Sequence, residues 1–161
     1  MKRDSRQWLM LAIFVSICIA VGGFGAIYTE STRAVWFDTL RQPDWSPPAW
    51  LFGPVWAILY LFMAVAAWLV WRNARSYRQT AGALILFGIQ LALNLAWSGI
   101  FFGLRSPGAA FIEILILWVA IVATMIAFWR VTRLAGLLFV PYLLWVTFAS
   151  ALNYAIWQLN A

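Results

Sequence analysis

Histidine is missing from all 161 residues, and cysteine occurs once, at Cys18. Without histidine the chain lacks the commonest acid/base group at neutral pH and the commonest metal ligand. One thiol cannot form an intramolecular disulfide, and Cys18 alone cannot build a metal site. Charge is scarce as well. Asp, Glu, Lys and Arg make up 10% of the chain, against about 25% in a soluble globular domain. No Ser/His/Asp arrangement, paired-carboxylate motif or phosphate-binding loop is present. Glu113, Asp38 and Asp44 are the only acids available near any candidate site, so catalytic activity stays an open question. There is no internal repeat and no low-complexity segment.

What fills the space is hydrocarbon. Apolar residues account for 65% of the chain, well above the roughly 45–50% of soluble domains. Apolar runs at residues 8–28, 51–71, 80–104, 107–129 and 134–159 predict five helices, each long enough to cross about 30 Å of bilayer. The first run is too long for a signal-peptide core and has no clean cleavage pattern after it, so it reads as a retained helix. The expected fold is all-α: an integral membrane bundle of five transmembrane helices, with residues 1–161 as a single domain.

The net charge of +6 forms no basic stripe. It therefore reads as topology, not as nucleic-acid binding. Lys2, Arg3 and Arg6, then Arg72, Arg75 and Arg78, then Arg130 and Arg133 give eight cations on one side. Arg33, Arg41 and Arg105 give three on the other. The positive-inside rule places the amino terminus in the cytoplasm, for a bacterial inner membrane, with the loop at residues 30–50 outside. Outer and organellar membranes stay open as alternatives.

That loop is long for a bundle connector, and it leads into an unusual stretch. Residues 43–56, PDWSPPAWLFGPVW, hold four of the six prolines and three of the twelve tryptophans. Each proline fixes its own φ and pushes the preceding residue out of the helical region. Trp45, Trp50 and Trp56 thus hang from a stiff backbone, an aromatic cover for the mouth of a bundle. Trp36 and Phe37 are expected at the membrane interface.

Helical spacing sorts the remaining polar and aromatic residues into faces. Trp56, Tyr60 and Met63 share one face of the second helix. Gln90, Asn94 and Trp97 share one on the third. Tyr142, Trp145, Ala149 and Asn153 share one on the fifth. Amides buried in hydrocarbon need partners, either across helices or from a ligand. Glu113, a turn into the fourth helix, either snorkels or bonds within the bundle. Gly22 and Ala26 serve bundle packing, a dimer seam or a ligand-facing surface. Pro141 is expected to kink the fifth helix. Trp68 and Trp71, beside Arg72, Arg75 and Arg78, read as a membrane boundary. By connectivity, Trp50, Trp56, Asn94, Trp97, Glu113, Trp145 and Asn153 fall in the loop-side half or near the midplane. An aromatic pocket with a few amides suits a flat, largely apolar ligand with polar edges.

Four ordered segments carry a family resemblance: WFDTLRQPDWSPPAW at 36–50, FGPVWAILY at 52–60, QLALNLAW at 90–97 with FFG at 101–103, and PYLLWVTFASALNYAIW at 141–157. The chain resembles the translocator protein family, also called tryptophan-rich sensory protein or peripheral-type benzodiazepine receptor. The resemblance spans nearly the whole chain. It implies a five-helix bundle, commonly a homodimer, that binds porphyrins and cholesterol-like or synthetic aromatic ligands. It also implies that Trp36, Trp56, Asn94, Trp97, Trp145, Ala149 and Asn153 match the family's pocket residues. Family members are associated with porphyrin photo-oxidation, stress regulation and tetrapyrrole or sterol traffic.

Two departures matter. No basic residue follows Leu152 and Tyr154, where animal members carry a cholesterol pattern. Ala109 stands where animal members have tryptophan, which implies a less aromatic and wider ligand mouth. Both favour a bacterial porphyrin-binding member. The expected ligand is protoporphyrin IX or a haem-like tetrapyrrole, with no cofactor required. The alternatives are a transporter of tetrapyrroles or sterol-like lipids, a porphyrin-degrading enzyme, and a structural membrane protein whose aromatics only pack.

Overall fold

The computed structural model describes residues 3–33, 35–73 and 75–161. Lys2, one of the eight cations assigned to the cytoplasmic side, lies outside them. Among the described residues, five helical stretches are long and apolar enough to cross a membrane: Ser5–Arg33, Ala49–Asn73, Tyr77–Gly103, Pro107–Val131 and Arg133–Asn160. The chain is an all-α, multi-pass membrane bundle.

Helix α1 (Arg3–Arg33) continues past its expected end at residue 28. Its polar last turns stay helical because Thr29 and Thr32 donate their hydroxyls to the carbonyls of Gly25 and Tyr28, at 3.1 and 2.7 Å. Two short 3-10 turns, Phe37–Thr39 and Ala49–Leu51, punctuate the long loop before α2 (Phe52–Asn73). Helix α3 (Tyr77–Ser98) starts three residues before the expected position because Ser76 caps it, its hydroxyl accepting from the Gln79 N–H at 3.2 Å. At its far end the ladder widens into a π-turn, Gly99–Gly103, in which Leu104 N–H donates to the Gly99 carbonyl at 2.8 Å. The joint to α4 (Pro107–Val131) is tight enough to hold Arg105 at φ 52°, in the left-handed region. Pro107 sits in α4's first turn, where its missing N–H is not needed.

The expected fifth helix is two helices. A short α5 (Arg133–Leu137) is followed by turn residues 138–139 and then α6 (Val140–Asn160). Pro141 ends up in the first turn of α6, where its missing N–H is not needed. What the sequence predicts as a kink is resolved as a break.

Helix α1 packs on α2 and α3, α3 on α4, and α4 on α6, with α5 beside α2 and α4. Glycines set three of the close approaches. A Cβ on Gly22 would lie 2.8 Å from the Tyr60 ring, one on Gly108 2.9 Å from the Trp157 indole, and one on Gly136 2.7 Å from the Trp129 ring. Gly22 therefore packs within the bundle, and it and Ala26 also border the internal space between the helices. Helices α2 and α6 meet differently, through rings: Phe52 on Trp145 at 5.7 Å and Trp56 on Tyr142 at 6.1 Å between centroids. At the basic ends, Arg72 lies over Trp68 at 5.1 Å and Arg6 over Trp71 at 5.7 Å. Trp68 also donates to the Gln7 carbonyl at 3.0 Å, tying α2 to α1.

Gly136→Ala is expected to destabilise the protein by about 1–3 kcal/mol, because the new methyl meets Trp129 side chain and backbone together. Gly82→Ala, with nothing within 4 Å of the new methyl, is expected to be neutral or mildly stabilising. Thermal unfolding of the two variants in one detergent checks the contrast.

Candidate functional site

Bringing α2 and α6 together through rings leaves a void. A cavity of about 680 Å³ lies between α1, α2, α3 and α6, with Ile114 and Leu117 of α4 reaching its wall. Its lining is largely apolar. The loop contributes Phe37 and Ala49, so the long connection forms part of the enclosure. At the loop end stand Thr29, Glu30 and Arg33. Arg33 pairs there with Glu30 at 3.7 Å and Asp38 at 3.9 Å. Both pairs are largely exposed and so contribute little stability.

Beneath the cavity runs a chain of polar contacts that joins three helices. Tyr60 of α2 donates its hydroxyl to Asn94 Oδ1 of α3 at 2.6 Å. Asn94 Nδ2 donates to the Tyr142 hydroxyl of α6 at 2.9 Å, and Tyr142 in turn donates to Gln90 Oε1 at 3.1 Å. Gln90 Nε2 ends the chain on the Met63 sulfur at 3.7 Å, a weak acceptor. A second junction lies nearer the loop. Trp97 Nε1 donates to Asn153 Oδ1 at 3.0 Å, and Asn153 Nδ2 donates to the Pro107 carbonyl at 2.8 Å. The three amides expected to need partners find them across helices.

One donor has none. Trp145 Nε1 is buried and unpaired, on a side chain that lines the cavity. A buried donor without an acceptor costs about 1–3 kcal/mol. Around it the walls are aromatic: Trp145 packs on Phe52 and Phe148, Trp56 on Tyr60, and Trp97 stacks on Phe101 at 5.1 Å between centroids.

The expected site residues separate into three groups. Trp56, Tyr60, Asn94, Trp97, Trp145, Ala149 and Asn153 line the one cavity. Gln90 and Tyr142 lie fully buried under it and hold its floor through hydrogen bonds. Trp36, Trp50 and Glu113 are not part of the lining. Trp36 packs edge-on against Phe101 at 5.7 Å. Trp50 is 71% exposed. Its 3-10 turn presents Ala49 to the cavity and carries Trp50 round to another side. Glu113 neither snorkels nor bonds within the bundle. It is 8% exposed, and neither carboxyl oxygen has a hydrogen-bond partner. Ile114, the next residue, faces the cavity, which leaves Glu113 about 100° round the helix. Ala109 is also outside the lining, and exposed, so it does not widen the mouth.

Other lining residues gave weaker signals. Cys18, Gly25 and Phe52 line the cavity. Only the small-residue spacing of α1 pointed towards any of them. Phe101 and Phe102 are carried inward by the π-turn, which no periodicity announces.

Residues 14–158 match the TspO/MBR family. The chain is 46% identical to the "Tryptophan-rich protein TspO" of Chlorobaculum tepidum over 156 residues, covering 97% of this chain and 99% of that protein. It is 36% identical to the "Tryptophan-rich protein TspO" of Archaeoglobus fulgidus, covering 95% of this chain and 98% of that one. It is 42% identical to the "Translocator protein" of Homo sapiens, covering 84% and 81% of the two chains.

Tyr142→Phe removes the hydroxyl that answers Asn94 and Gln90 while keeping the ring. It is expected to cost about 1–3 kcal/mol, because two buried amide groups lose a partner. Unfolding of the variant in detergent, compared with Tyr154→Phe on the exposed face of α6, measures the difference.

Proposed function

The chain belongs to the TspO/MBR family, and from that premise we propose that it is a membrane receptor or sensor for a porphyrin-type tetrapyrrole or a related flat apolar molecule. The observation that carries this reading is an aromatic cavity of about 680 Å³ whose wall includes Trp145, a side chain whose buried Nε1–H has no partner among the described residues. That volume falls within the range of roughly 300–1,000 Å³ usual for small-molecule sites. A ligand oxygen or nitrogen that accepts from Trp145 removes the penalty of an orphaned donor. Trp56, Phe52 and Phe101 offer ring faces and edges to an aromatic macrocycle.

The proposed contact set is Trp56, Tyr60, Trp97, Trp145, Ala149 and the two asparagines, Asn94 and Asn153. Gln90 and Tyr142 support it from below, and Trp36 supports it through Phe101. The amides are already engaged, so their part is to hold the walls at fixed spacing. Sterol is the less suitable occupant, since no basic residue follows Tyr154. The tetrapyrrole is ligand, not resident cofactor, and the proposed binding unit is a single five-helix domain over residues 1–161. A second copy of the chain is the proposed partner, on the strength of the family. The proposed setting is a bacterial inner membrane with the amino terminus in the cytoplasm, supported by the distribution of cations.

Trp145→Phe keeps a ring at the wall and removes the donor. It is expected to weaken protoporphyrin IX binding by roughly 3- to 10-fold, the scale of one hydrogen bond. The porphyrin's own absorbance, titrated against protein in nanodiscs, gives the affinity without relying on tryptophan emission. Equal affinity of wild type, Trp145→Phe and Trp56→Phe would sink the proposal. For orientation, Ser46→Cys in a Cys18→Ala background is expected to react with a membrane-impermeant maleimide from the periplasmic side of intact spheroplasts. Labelling only after lysis would reverse the topology.

A further inference from the structure

The loop between α1 and α2 supplies two residues to the cavity wall, Phe37 and Ala49. What holds that loop in place is unevenly distributed. Apart from Trp36 N–H, which continues α1 by donating to the Thr32 carbonyl, its N–H groups that donate to backbone do so internally: Thr39 and Leu40 N–H to the Trp36 and Phe37 carbonyls, Ser46 N–H to Pro43, and Leu51 N–H to Pro48. The Ser46 hydroxyl likewise turns back on Gln42. These bonds shape the loop and do not attach it to the bundle. Ring contacts do attach it: Phe37 on Phe101 and Phe102, Trp36 on Phe101, and Trp45 on Phe148. Such contacts bury area and set ring geometry, but they pair no backbone donor or acceptor of the loop.

One side chain does something different. Arg41 N–H donates to Asn160 Oδ1 at 2.9 Å, and Asn160 Nδ2 donates to the Arg41 carbonyl at 2.9 Å. The same Nδ2 also donates to the Ile156 carbonyl at 2.8 Å, which fixes the amide to the last turn of α6. The Asn160 amide thus pairs with the loop backbone as a neighbouring strand would, using donor and acceptor together. Among the described residues, and apart from the Phe52 N–H that donates to the Ala49 carbonyl where the chain runs on into α2, no other hydrogen bond reaches residues 35–51 from helices α2 to α6. Asn160 does not line the cavity, while Asn153 and Ile156, two turns and one turn earlier on α6, do.

We propose that Asn160 is a positioning residue that latches the loop closed over the cavity, setting how fast a ligand passes the mouth without setting how tightly it binds. This rests on the cavity being a ligand site. The latch touches the loop backbone and not the lining, so its two bonds are the same with the cavity full or empty. Breaking them opens the mouth equally often in either state. Association and dissociation then accelerate together, and their ratio stays where it was. A residue that merely stabilised the pocket would change dissociation more than association.

The test uses the full chain in nanodiscs, as wild type, Asn160→Ala and Asn160→Asp. Asn160 is an exposed residue at the end of α6, so neither change is expected to prevent folding. The first readout is amide hydrogen exchange of residues 35–51 in ligand-free protein. The second is stopped-flow association and dissociation of protoporphyrin IX. In Asn160→Ala, loop exchange and both rate constants are expected to rise by roughly tenfold, the scale of losing two ordinary hydrogen bonds. The Kd is expected to stay within about twofold. Asn160→Asp keeps the acceptor for Arg41 N–H and loses the donor to its carbonyl, so it is expected to fall between. Unchanged loop exchange would overturn the latch, and so would faster exchange with unchanged porphyrin rates. A weaker Kd from dissociation alone would also overturn it, as a change to the bound state. If wild type fails to bind the porphyrin, the receptor reading fails, and loop exchange still decides whether Asn160 holds the loop.

Discussion

Asn94 accepts from Tyr60 and donates to Tyr142, so a single amide side chain is the meeting point of α2, α3 and α6. In a soluble core such a junction competes with water for its partners. In hydrocarbon it has no such alternative, and a buried polar atom left without a partner in the bundle carries the full cost of desolvation. Moving any one of the three helices would strand two polar groups, which makes the junction stiff as well as stable. Asn153 does the same for α3, α4 and α6 one level nearer the loop. Between them the two asparagines hold the surfaces that face the void, and the space there does not have to be closed by collapse.

The void itself comes from unequal helix spacing. Where backbones approach closely, a glycine makes room for a neighbour's ring: Gly22 for Tyr60, Gly108 for Trp157. Between α2 and α6 there is no such glycine contact. Phe52 meets Trp145, and Trp56 meets Tyr142, ring against ring. Large side chains at that seam hold the axes apart, and the cavity is what remains inside. Trp145 stands at that seam, its ring in the cavity wall and its buried N–H without a partner among the described residues.

The loop completes the enclosure through a division of labour. Its prolines stiffen the chain, its rings bury area against Phe101, Phe102 and Phe148, and the Asn160 amide supplies direction. Residues that look alike in the sequence take different parts in this. Trp36, Trp45, Trp50 and Trp56 sit within 21 residues of one another. Trp56 lines the cavity, Trp36 and Trp45 pack on aromatic neighbours, and Trp50 is exposed.

Hydrophobic run length was enough to establish the five crossings, because a bilayer demands a nearly uninterrupted apolar stretch and the chain supplies five. The 3.6-residue period was enough to group Trp56 with Tyr60, Asn94 with Trp97, and Trp145 with Ala149 and Asn153, since residues three or four apart on a helix must share a face. These residues all reached the cavity wall, while Met63, Gln90 and Tyr142, grouped with them by the same spacing, are fully buried and do not line it. Periodicity failed where the backbone departs from a regular helix or where a face has more than one neighbour. The π-turn at Gly99–Gly103 and the break before Val140 each shift the helical register of the residues beyond them. Glu113 belongs to the same helix as Ile114, yet only the packing of α4 decided which of them sees the void. Which polar groups satisfy each other is likewise a property of distances between helices. Residue identity and spacing thus determined the spans and their faces, because those depend on neighbours along the chain. Tertiary structure alone decided that the amides are spent on tyrosine, tryptophan and backbone partners across helices and that the Trp145 N–H has none, because that depends on which faces meet.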